Sequence, residues 1–176
     1  MDIKDLLSQF TLFNPRIGKR ADLPAEEGNY IVVLRQGSEL PGGLESAECS
    51  TVSFDGKEYR IVYTGVASDL KRRVWTNHLH GNGGTSTLRK TLGSLFGYKK
   101  IPRDKNNPNN GKTKFEPENE EKLTSWMEEN LLFAILANNR RNELEMYLID
   151  SFQPPLNVNG SRASTVDMIH ALRTQK

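Results

Sequence analysis

The chain has 176 residues and a mass of 19.9 kDa, the usual size of a single domain with its own hydrophobic core. Its composition is 36% hydrophobic and 26% charged, and the longest apolar run, Leu131 to Ala137, is too short to span a bilayer. The N-terminus has no apolar signal core, so we expect a cytoplasmic protein without a membrane partner. One cysteine excludes an internal disulfide, and three histidines without zinc-site spacing argue against a structural metal.

The net charge is only +2, but the charges are segregated along the chain. Residues 69 to 114 hold eleven lysines or arginines against two acids, whereas residues 116 to 129 hold six glutamates and one lysine. A basic stretch of this kind suits contact with phosphates. A solvated, lysine-rich surface explains the charge alone equally well.

In the first part of the chain, the pattern predicts an N-terminal helix and then strands. Residues 3 to 13 are amphipathic, and two prolines make the following lead-in irregular. The β-branched run Asn29 to Leu34 predicts a strand, and Tyr59 to Tyr63 predicts a second. An Asp55-Gly56 turn allows Thr51 to Phe54 to pair with the second strand as a hairpin.

The middle of the chain predicts two basic helices and a loop. The first helix starts after Gly65 with Ser68 or Asp69 as its N-cap, and the glycine cluster at 81–84 ends it. The second helix covers Thr87 to Phe96, with Thr85 or Ser86 as its cap. Residues 104 to 114, rich in Asn, Pro and Gly, predict a mobile surface loop.

The last part of the chain predicts an acidic helix over about 117–129, then a buried strand at Leu131 to Ala137, for which a helix is the alternative. A helix with Leu144, Leu148 and Ile149 on its apolar face follows, and Pro154-Pro155 ends it. Residues 164 to 174 predict a short C-terminal helix. We therefore expect a single α/β (α+β) domain with a small, mostly antiparallel three-stranded sheet flanked by helices. Its parts are a lead-in at 1–27, the main domain at 28–160 and a C-terminal helix or tail at 161–176.

Several residues that suit phosphate chemistry occur in a definite order: Tyr30, then Tyr63, Arg73 and much later Glu145. Taken singly, a strand tyrosine is usually a packing residue, and a charged helix residue is usually solvated. It is their order and spacing that favour a shared site.

These residues resemble the GIY-YIG nuclease family, over the stretch from about Gly28 to Asn157. Gly28-Asn29-Tyr30 and Tyr63-Thr64-Gly65 stand where the two tripeptides would be, and Arg73 follows the second glycine by eight positions. Glu145, followed by Gln153-Pro154 and Asn157, is similar to the closing motif of the family. The resemblance implies a GIY-YIG-like fold and a divalent-metal-dependent endonuclease that leaves 5′-phosphate ends on DNA.

The sequence also departs from the family pattern. Asn29 and Thr64 stand where isoleucine is usual. The His or Tyr that follows the arginine by one helical turn would fall on Asn77, whereas the histidine here is His78. Either the helix is irregular by one residue or the family role is partly lost, and His80 is the alternative candidate.

The chemistry assigns roles to these residue types. A guanidinium offers a planar fork of donors to phosphate, which suits Arg73, and a hard cation such as Mg²⁺ or Mn²⁺ can be held by a carboxylate such as Glu145 while keeping water ligands. The resemblance implies that Tyr30 or Tyr63 assists the attacking water, and the sequence leaves open which one does. Asn157 suits ordering the site by hydrogen bonding, and His78 suits favouring deprotonation of a phenol.

The basic helices then predict a DNA-contacting surface. The residues assigned to it are Arg72, Arg89, Lys90, Lys99 and Lys100. The stretch from Gly81 to Lys90 lacks the Gly-Lys-Ser/Thr ending of a P-loop, so no nucleotide cofactor is expected. The competing interpretation is a catalytically inactive nucleic-acid-binding module on the same scaffold, which the position of His78 favours. A third is an interaction module that uses the acidic segment, and no motif supports it.

Overall fold

The computed structural model describes residues 2–175, which form one antiparallel five-stranded sheet, a separate two-stranded hairpin and helices. The strands are β1 (Thr11–Phe13), β2 (Gly28–Leu34), β3 (Thr51–Phe54), β4 (Lys57–Ala67), β5 (Lys100–Pro102), β6 (Thr113–Phe115) and β7 (Leu131–Ala137). The α-helices are α1 (Ile3–Leu7), α2 (Thr87–Leu95), α3 (Pro117–Asn130), α4 (Arg141–Phe152) and α5 (Val166–Thr174). A π-helix covers Arg72–Leu79, and a 3₁₀ turn covers Arg20–Asp22.

The five-stranded sheet has the order β1-β7-β2-β4-β3, so β2 is central and all seven of its residues are buried. Because successive side chains of a strand point to opposite faces, β2 supplies two apolar clusters. Tyr30, Val32 and Leu34 pack with the π-helix, α2, α3 and α5, while Ile31 and Val33 pack with α1 and α4. The sheet therefore has a core on each face.

Most of the predicted elements are confirmed. The strand over Leu131 to Ala137 has the predicted bounds, and β3 and β4 form the predicted hairpin through Asp55 and Gly56, both with positive φ. Ser86 caps α2 by accepting a hydrogen bond from the Arg89 amide, and Asp69 caps the preceding helix by accepting one from the Arg72 amide. Both caps follow from short polar side chains that bond to free amides in a first turn.

The prediction of a three-stranded sheet is wrong, because the sheet has five strands. The amphipathic segment at 3–13 is helical only to Leu7, and Thr11–Phe13 pairs with β7 as an edge strand. Three residues carry too little periodicity to indicate a strand, and their partners lie more than a hundred positions away in the sequence.

The predicted loop at 104–114 is also only partly a loop. Its last two residues, Thr113 and Lys114, belong to β6, which pairs with β5, and the exposed turns lie between the two strands. Among residues 2–175, no helix is long and apolar enough to cross a membrane.

Candidate active site

The strands β2 and β4 place two tyrosines on the same face of the sheet. Tyr30 pairs with Gly65 and Tyr63 pairs with Val32, and the two phenol rings are 6.2 Å apart between centroids. A Cβ atom on Gly65 would lie 2.3 Å from the Tyr30 hydroxyl. The glycine of the second tripeptide is therefore required because the Tyr30 ring lies across it.

The π-helix brings His78 to these tyrosines. Its hydrogen bonds join residues five apart, as between the His80 amide and the Trp75 carbonyl at 3.0 Å, so each turn holds one residue more than an α-helical turn. His78 follows Arg73 by five positions, and the larger number of residues in each turn puts both on one side of the helix. Nε2 of His78 lies 2.7 Å from the Tyr30 hydroxyl oxygen, whereas His80 is exposed and packs against Trp75.

His78 is held from its other side by a residue that sequence reasoning treated only as a helix cap. Nδ1 of His78 lies 2.6 Å from Oγ of Ser86, and both side chains are buried. Ser86 thus contacts the imidazole and caps α2 with the same oxygen. The signal available in the sequence was a capping serine shortly after a histidine, a pattern too common to single it out.

The imidazole of His78 is neutral near neutral pH. Burial, followed by the charges of Arg73 and Arg89, lowers the pKa of His78 from 6.5 to about 3. A neutral imidazole has one N–H donor and one acceptor nitrogen. When Nδ1 donates to Ser86, Nε2 is free to accept the proton of the Tyr30 hydroxyl.

The charges of Arg73 and Glu145 shift the pKa values of the Tyr30 and Tyr63 phenols. Burial is the main cause that raises the pKa of Tyr30 well above its usual value, and it also raises the pKa of Tyr63. In each case the charge of Glu145 raises the phenol pKa further, while the charge of Arg73 opposes the rise. The structure therefore brings the two tyrosines and His78 together on one face of the sheet, and the charges of Arg73 and Glu145 act on both phenols.

Glu145 is half-buried on α4, and burial raises the pKa of its carboxyl. Within residues 2–175 its carboxylate takes part in no hydrogen bond and no ion pair. The same part of the chain contains no group of three His, Cys, Asp or Glu side chains that could hold a metal. A single half-buried carboxylate without a partner suits a hard cation that keeps water ligands, so Glu145 fits Mg²⁺ or Mn²⁺.

Buried Asn29 explains how α4 is held in place. Its amide nitrogen donates to the Arg141 carbonyl at 2.8 Å, and its amide oxygen accepts from Asn138. Arg141 in turn donates to the Ala67 carbonyl at 2.9 Å. Asn29 therefore ties the start of β2, and Arg141 ties the end of β4, to the first turn of α4, one turn before Glu145.

Asn157 completes an open strand edge. β3 pairs with β4 only as far as Arg60, so the stretch of β4 beyond it lacks a strand on that side. The Asn157 side chain bonds both the amide and the carbonyl of Thr64 at 2.9 Å, and the Leu156 amide donates to Val62. Asn157 therefore holds the backbone between Tyr63 and Gly65, which is a positioning role.

Arg89 does not lie on the surface, and its prediction as a DNA contact is wrong. Its side chain is 0% exposed and donates to the carbonyls of His78, Leu79 and Glu120 and to the Thr124 hydroxyl. Helix ends leave free carbonyls, and a buried arginine with five donors can satisfy several of them. In the sequence, Arg89 lies on the polar side of an amphipathic helix, as a surface residue would. Elements that are distant in the sequence cover this side of α2.

The other predicted DNA contacts differ in accessibility. Arg72 and Lys99 are exposed, and Lys90 is half-buried. Lys100 donates from Nζ to the carbonyls of Leu172 at 2.8 Å and Gln175 at 3.0 Å, so it fastens the C-terminal end of α5. Only part of the predicted basic surface is therefore free to meet a phosphate backbone.

The comparison with known protein families agrees with this geometry. A family model described as the GIY-YIG catalytic domain matches residues 28–176, most of the chain, and its range includes every residue of the site. No match was found among curated proteins or among solved structures. The match over most of the chain, on a site that joins the two tyrosine tripeptides to Arg73 and Glu145, shows that the chain belongs to the GIY-YIG catalytic domain family.

Proposed function

We propose that this protein is a metal-dependent endonuclease that hydrolyses phosphodiester bonds of DNA. Members of this family are usually endonucleases and generally depend on a divalent metal. The family match therefore supports nuclease activity at the family level. The observation that carries the proposal is the hydrogen-bonded pair of Tyr30 and neutral His78, beside Tyr63 and within reach of the charges of Arg73 and Glu145. A cytoplasmic location is part of the proposal and rests on the sequence alone.

The proposed chemistry starts with the attacking water. Tyr30 accepts a proton from the water as its own hydroxyl proton passes to Nε2 of His78, a route that its 2.7 Å contact provides. Tyr63, which is partly exposed, orients the water or the phosphate from the adjacent position. The hydrogen bond to His78 supports Tyr30, rather than Tyr63, as the tyrosine that relays the proton.

Arg73 stabilises the negative charge that develops on the phosphoryl oxygens. Burial is the main cause that lowers the pKa of His78 in the free protein, the charge of Arg73 lowers it further, and a bound phosphate would offset that second contribution. Substrate binding therefore makes His78 a better proton acceptor at the moment when the proton must move.

Glu145 would hold the divalent metal, and the bound metal supplies charge stabilisation for the phosphoryl oxygens and the leaving oxygen. Cation binding also relieves the cost of a half-buried carboxylate without a partner. Asn29 and Arg141 position the helix that carries Glu145, and Asn157 positions the strand that carries Tyr63.

The test is a nicking assay on supercoiled plasmid with Mg²⁺ or Mn²⁺, comparing the parent protein with Arg73→Gln and Glu145→Gln. Each substitution should lower the rate by a factor of about 100 or more, as expected when a main source of charge stabilisation is removed. Glu143→Gln is the matched control, because Glu143 lies on the same helix but is exposed and paired with Arg140. A parent protein that does not nick, or an Arg73→Gln or Glu145→Gln variant that nicks at the parental rate, contradicts the proposal.

A further inference from the structure

We propose that Arg89 on α2 is a positioning residue for the proton relay between Tyr30 and His78. It would fix the backbone of His78 so that Nε2 faces the Tyr30 hydroxyl, without itself touching the nucleic acid. The inference rests on the proposed function for the reaction that it serves, and the position of His78 can be measured without any cleavage.

The guanidinium of Arg89 binds the end of the π-helix. The last carbonyls of a helix have no partner within it, and His78 and Leu79 are the last two residues of this one. Nη1 of Arg89 donates to the His78 carbonyl at 2.9 Å and to the Leu79 carbonyl at 3.1 Å. These bonds fix the backbone of the residue whose imidazole contacts Tyr30.

The backbone of Arg89 holds the same histidine through Ser86. The Arg89 amide donates to Oγ of Ser86 at 3.1 Å, and that oxygen lies 2.6 Å from Nδ1 of His78. A closed ring of hydrogen bonds thus runs from the His78 carbonyl through Arg89 and Ser86 back to the His78 imidazole. The first turn of α2 therefore restrains both the main chain and the ring of His78.

The guanidinium is itself anchored by α3. Nη2 donates to the Glu120 carbonyl at 2.7 Å, and Nη1 donates to the Thr124 hydroxyl at 2.9 Å. Thr124 in turn donates to the Leu79 carbonyl at 2.8 Å. The Glu120 carboxylate lies 3.8 Å from Nη2 and accepts from the Gly83 amide with both oxygens at 3.0 Å. The same network therefore ties down the loop between the π-helix and α2.

The charge of Arg89 acts in the same direction as its hydrogen bonds. The titratable groups that face the imidazole are Tyr30 on β2 and Tyr63 on β4, with the charges of Arg73 on the π-helix and Arg89 on α2. Burial, and then the charges of Arg73 and Arg89, lower the pKa of His78 to about 3. Arg89 thus favours the neutral imidazole, which is the form that accepts from Tyr30.

A buried arginine that binds helix carbonyls can also simply stabilise a fold, and Arg35 is an example. It follows β2 and donates to the Glu128 carbonyl in the last turn of α3 at 3.0 Å, and its side chain also bonds Asn14. Arg35 therefore provides a matched control, because it serves a helix end that does not carry His78.

The experiment records the ¹⁵N resonances of the histidine rings by NMR, without DNA or metal, beside the single-turnover nicking rate and the DNA affinity in EDTA. The proteins are the parent, Arg89→Lys, Thr124→Val and the control Arg35→Lys. The signals of His78 are assigned by their absence in His78→Gln. The parent should show a neutral imidazole in one tautomer, with the proton on Nδ1, at about pH 5 and above.

Arg89→Lys keeps the charge but replaces the planar fork of donors by one ammonium group, so it separates charge from position. It should give a mixture of tautomers at His78 and lower the nicking rate by about tenfold to a hundredfold. The DNA affinity should stay parental, because Arg89 is 0% exposed. Thr124→Val removes one bond to the guanidinium and should lower the rate by about threefold to tenfold.

Arg35→Lys should leave the His78 signals and the nicking rate unchanged. A folded Arg89→Lys with the His78 spectrum and rate of the parent overturns the inference. If Arg89→Lys does not fold, parental values in Thr124→Val overturn it instead. An equal fall in rate in Arg35→Lys would show a general loss of stability and would also overturn it.

The two readouts separate this inference from the proposed function. If the parent does not nick but His78 loses its single tautomer in Arg89→Lys, the catalytic proposal fails and the hold of Arg89 on His78 stands. If the parent nicks and the His78 spectrum is unchanged in Arg89→Lys, the positioning role alone is wrong.

Discussion

The protonation of His78 depends on its burial. It is 1% exposed, and its imidazole is neutral because a charge at that position would be desolvated and would lie near Arg73 and Arg89. The same neutrality lets Nε2 accept from Tyr30. Folding therefore prepares a proton acceptor and at the same time makes the protein sensitive to acid.

This acid sensitivity can be measured. The unfolded imidazole binds a proton near pH 6.5, whereas in the folded protein the pKa is about 3. Between these values the unfolded state binds more protons, so the stability contributed by His78 is present above pH 6.5 and is lost as the pH falls. At pH 5 the loss should be about 2 kcal/mol, at roughly 1.4 kcal/mol per pH unit.

The measurement is the free energy of unfolding in urea at pH 7 and pH 5. His78→Gln should lose about 2 kcal/mol less than the parent between the two values. His170→Gln, at an exposed position, is the control. An equal pH dependence in the parent and in His78→Gln would contradict the burial of a neutral imidazole.

Ser86 should matter for the rate of cleavage as well as for the stability of α2. Ser86→Ala removes the partner of Nδ1 and leaves the imidazole free to take the wrong tautomer, so the nicking rate should fall by about tenfold or more. The lost cap should cost only about 1 kcal/mol of stability. Ser86→Thr keeps the hydroxyl and should retain most of the activity.

Ser94→Ala is the matched control for this prediction. Ser94 is buried on the same helix, but its hydroxyl has no hydrogen-bond partner in the described residues. Parental activity in Ser86→Ala would show that Ser86 serves only as a helix cap.

At the scale of elements, the π-helix decides whether Arg73 and His78 can act together. In an α-helix, residues four apart share a face, and residues five apart are rotated away from each other. The larger turn of a π-helix accommodates one extra residue and restores the shared face. The histidine that appears displaced by one position in the sequence is therefore in place, and the feature that favoured an inactive binding module no longer favours it.

Deletion of Thr76 tests this explanation. Thr76 is exposed within the π-helix, and its removal places the arginine and the histidine four apart, which suits an ordinary α-helix. We expect the deletion variant to fold, to keep a parental melting temperature within a few degrees, and to retain nicking activity.

Deletion of Glu121 from α3 is the control, because Glu121 is also exposed but lies in a regular α-helix. It would rotate the fully buried Leu123 and Met127 out of the core, so the variant should not fold. Loss of folding or of activity on deletion of Thr76 would show that the π-helix itself is needed, and not only the shared face.

The molecule as a whole is stabilised by segments that lie outside the matched family range. Leu6, Leu7 and Phe10 fill the core on one face of the sheet, and Phe13 belongs to the core on the other face. β1 also covers the edge of β7. The N-terminal segment, predicted as a lead-in, is thus part of the folded domain.

Removal of residues 1–26 should therefore prevent folding, since the segment holds five buried apolar side chains, Leu23 being the fifth, and each contributes about 1.5–3 kcal/mol. Phe10→Ala alone should cost about 3–5 kcal/mol in the free energy of unfolding. Ile17→Ala is the control in the same segment, because Ile17 is 79% exposed and should change stability by less than about 0.5 kcal/mol. A truncated protein that folds and nicks would show that the segment is dispensable.

The sequence by itself determined the elements whose signals are local. The hairpin turn at Asp55-Gly56, the caps Asp69 and Ser86, and the buried strand Leu131 to Ala137 follow from residue types a few positions apart. The order of Tyr30, Tyr63, Arg73 and Glu145 likewise indicated the family, because each motif is read over a short stretch of chain.

Only the tertiary structure decided what depends on partners distant in the sequence. A three-residue strand at Thr11–Phe13 exists because β7 offers an edge, and Arg89 is buried because α3 and the end of the π-helix cover it. The placement of His78 required the larger turn of the π-helix. No sequence pattern of residue types predicts where such a turn occurs. Long-range packing and the hydrogen-bonding pattern of the π-helix, rather than local propensity, therefore set the final geometry of the site.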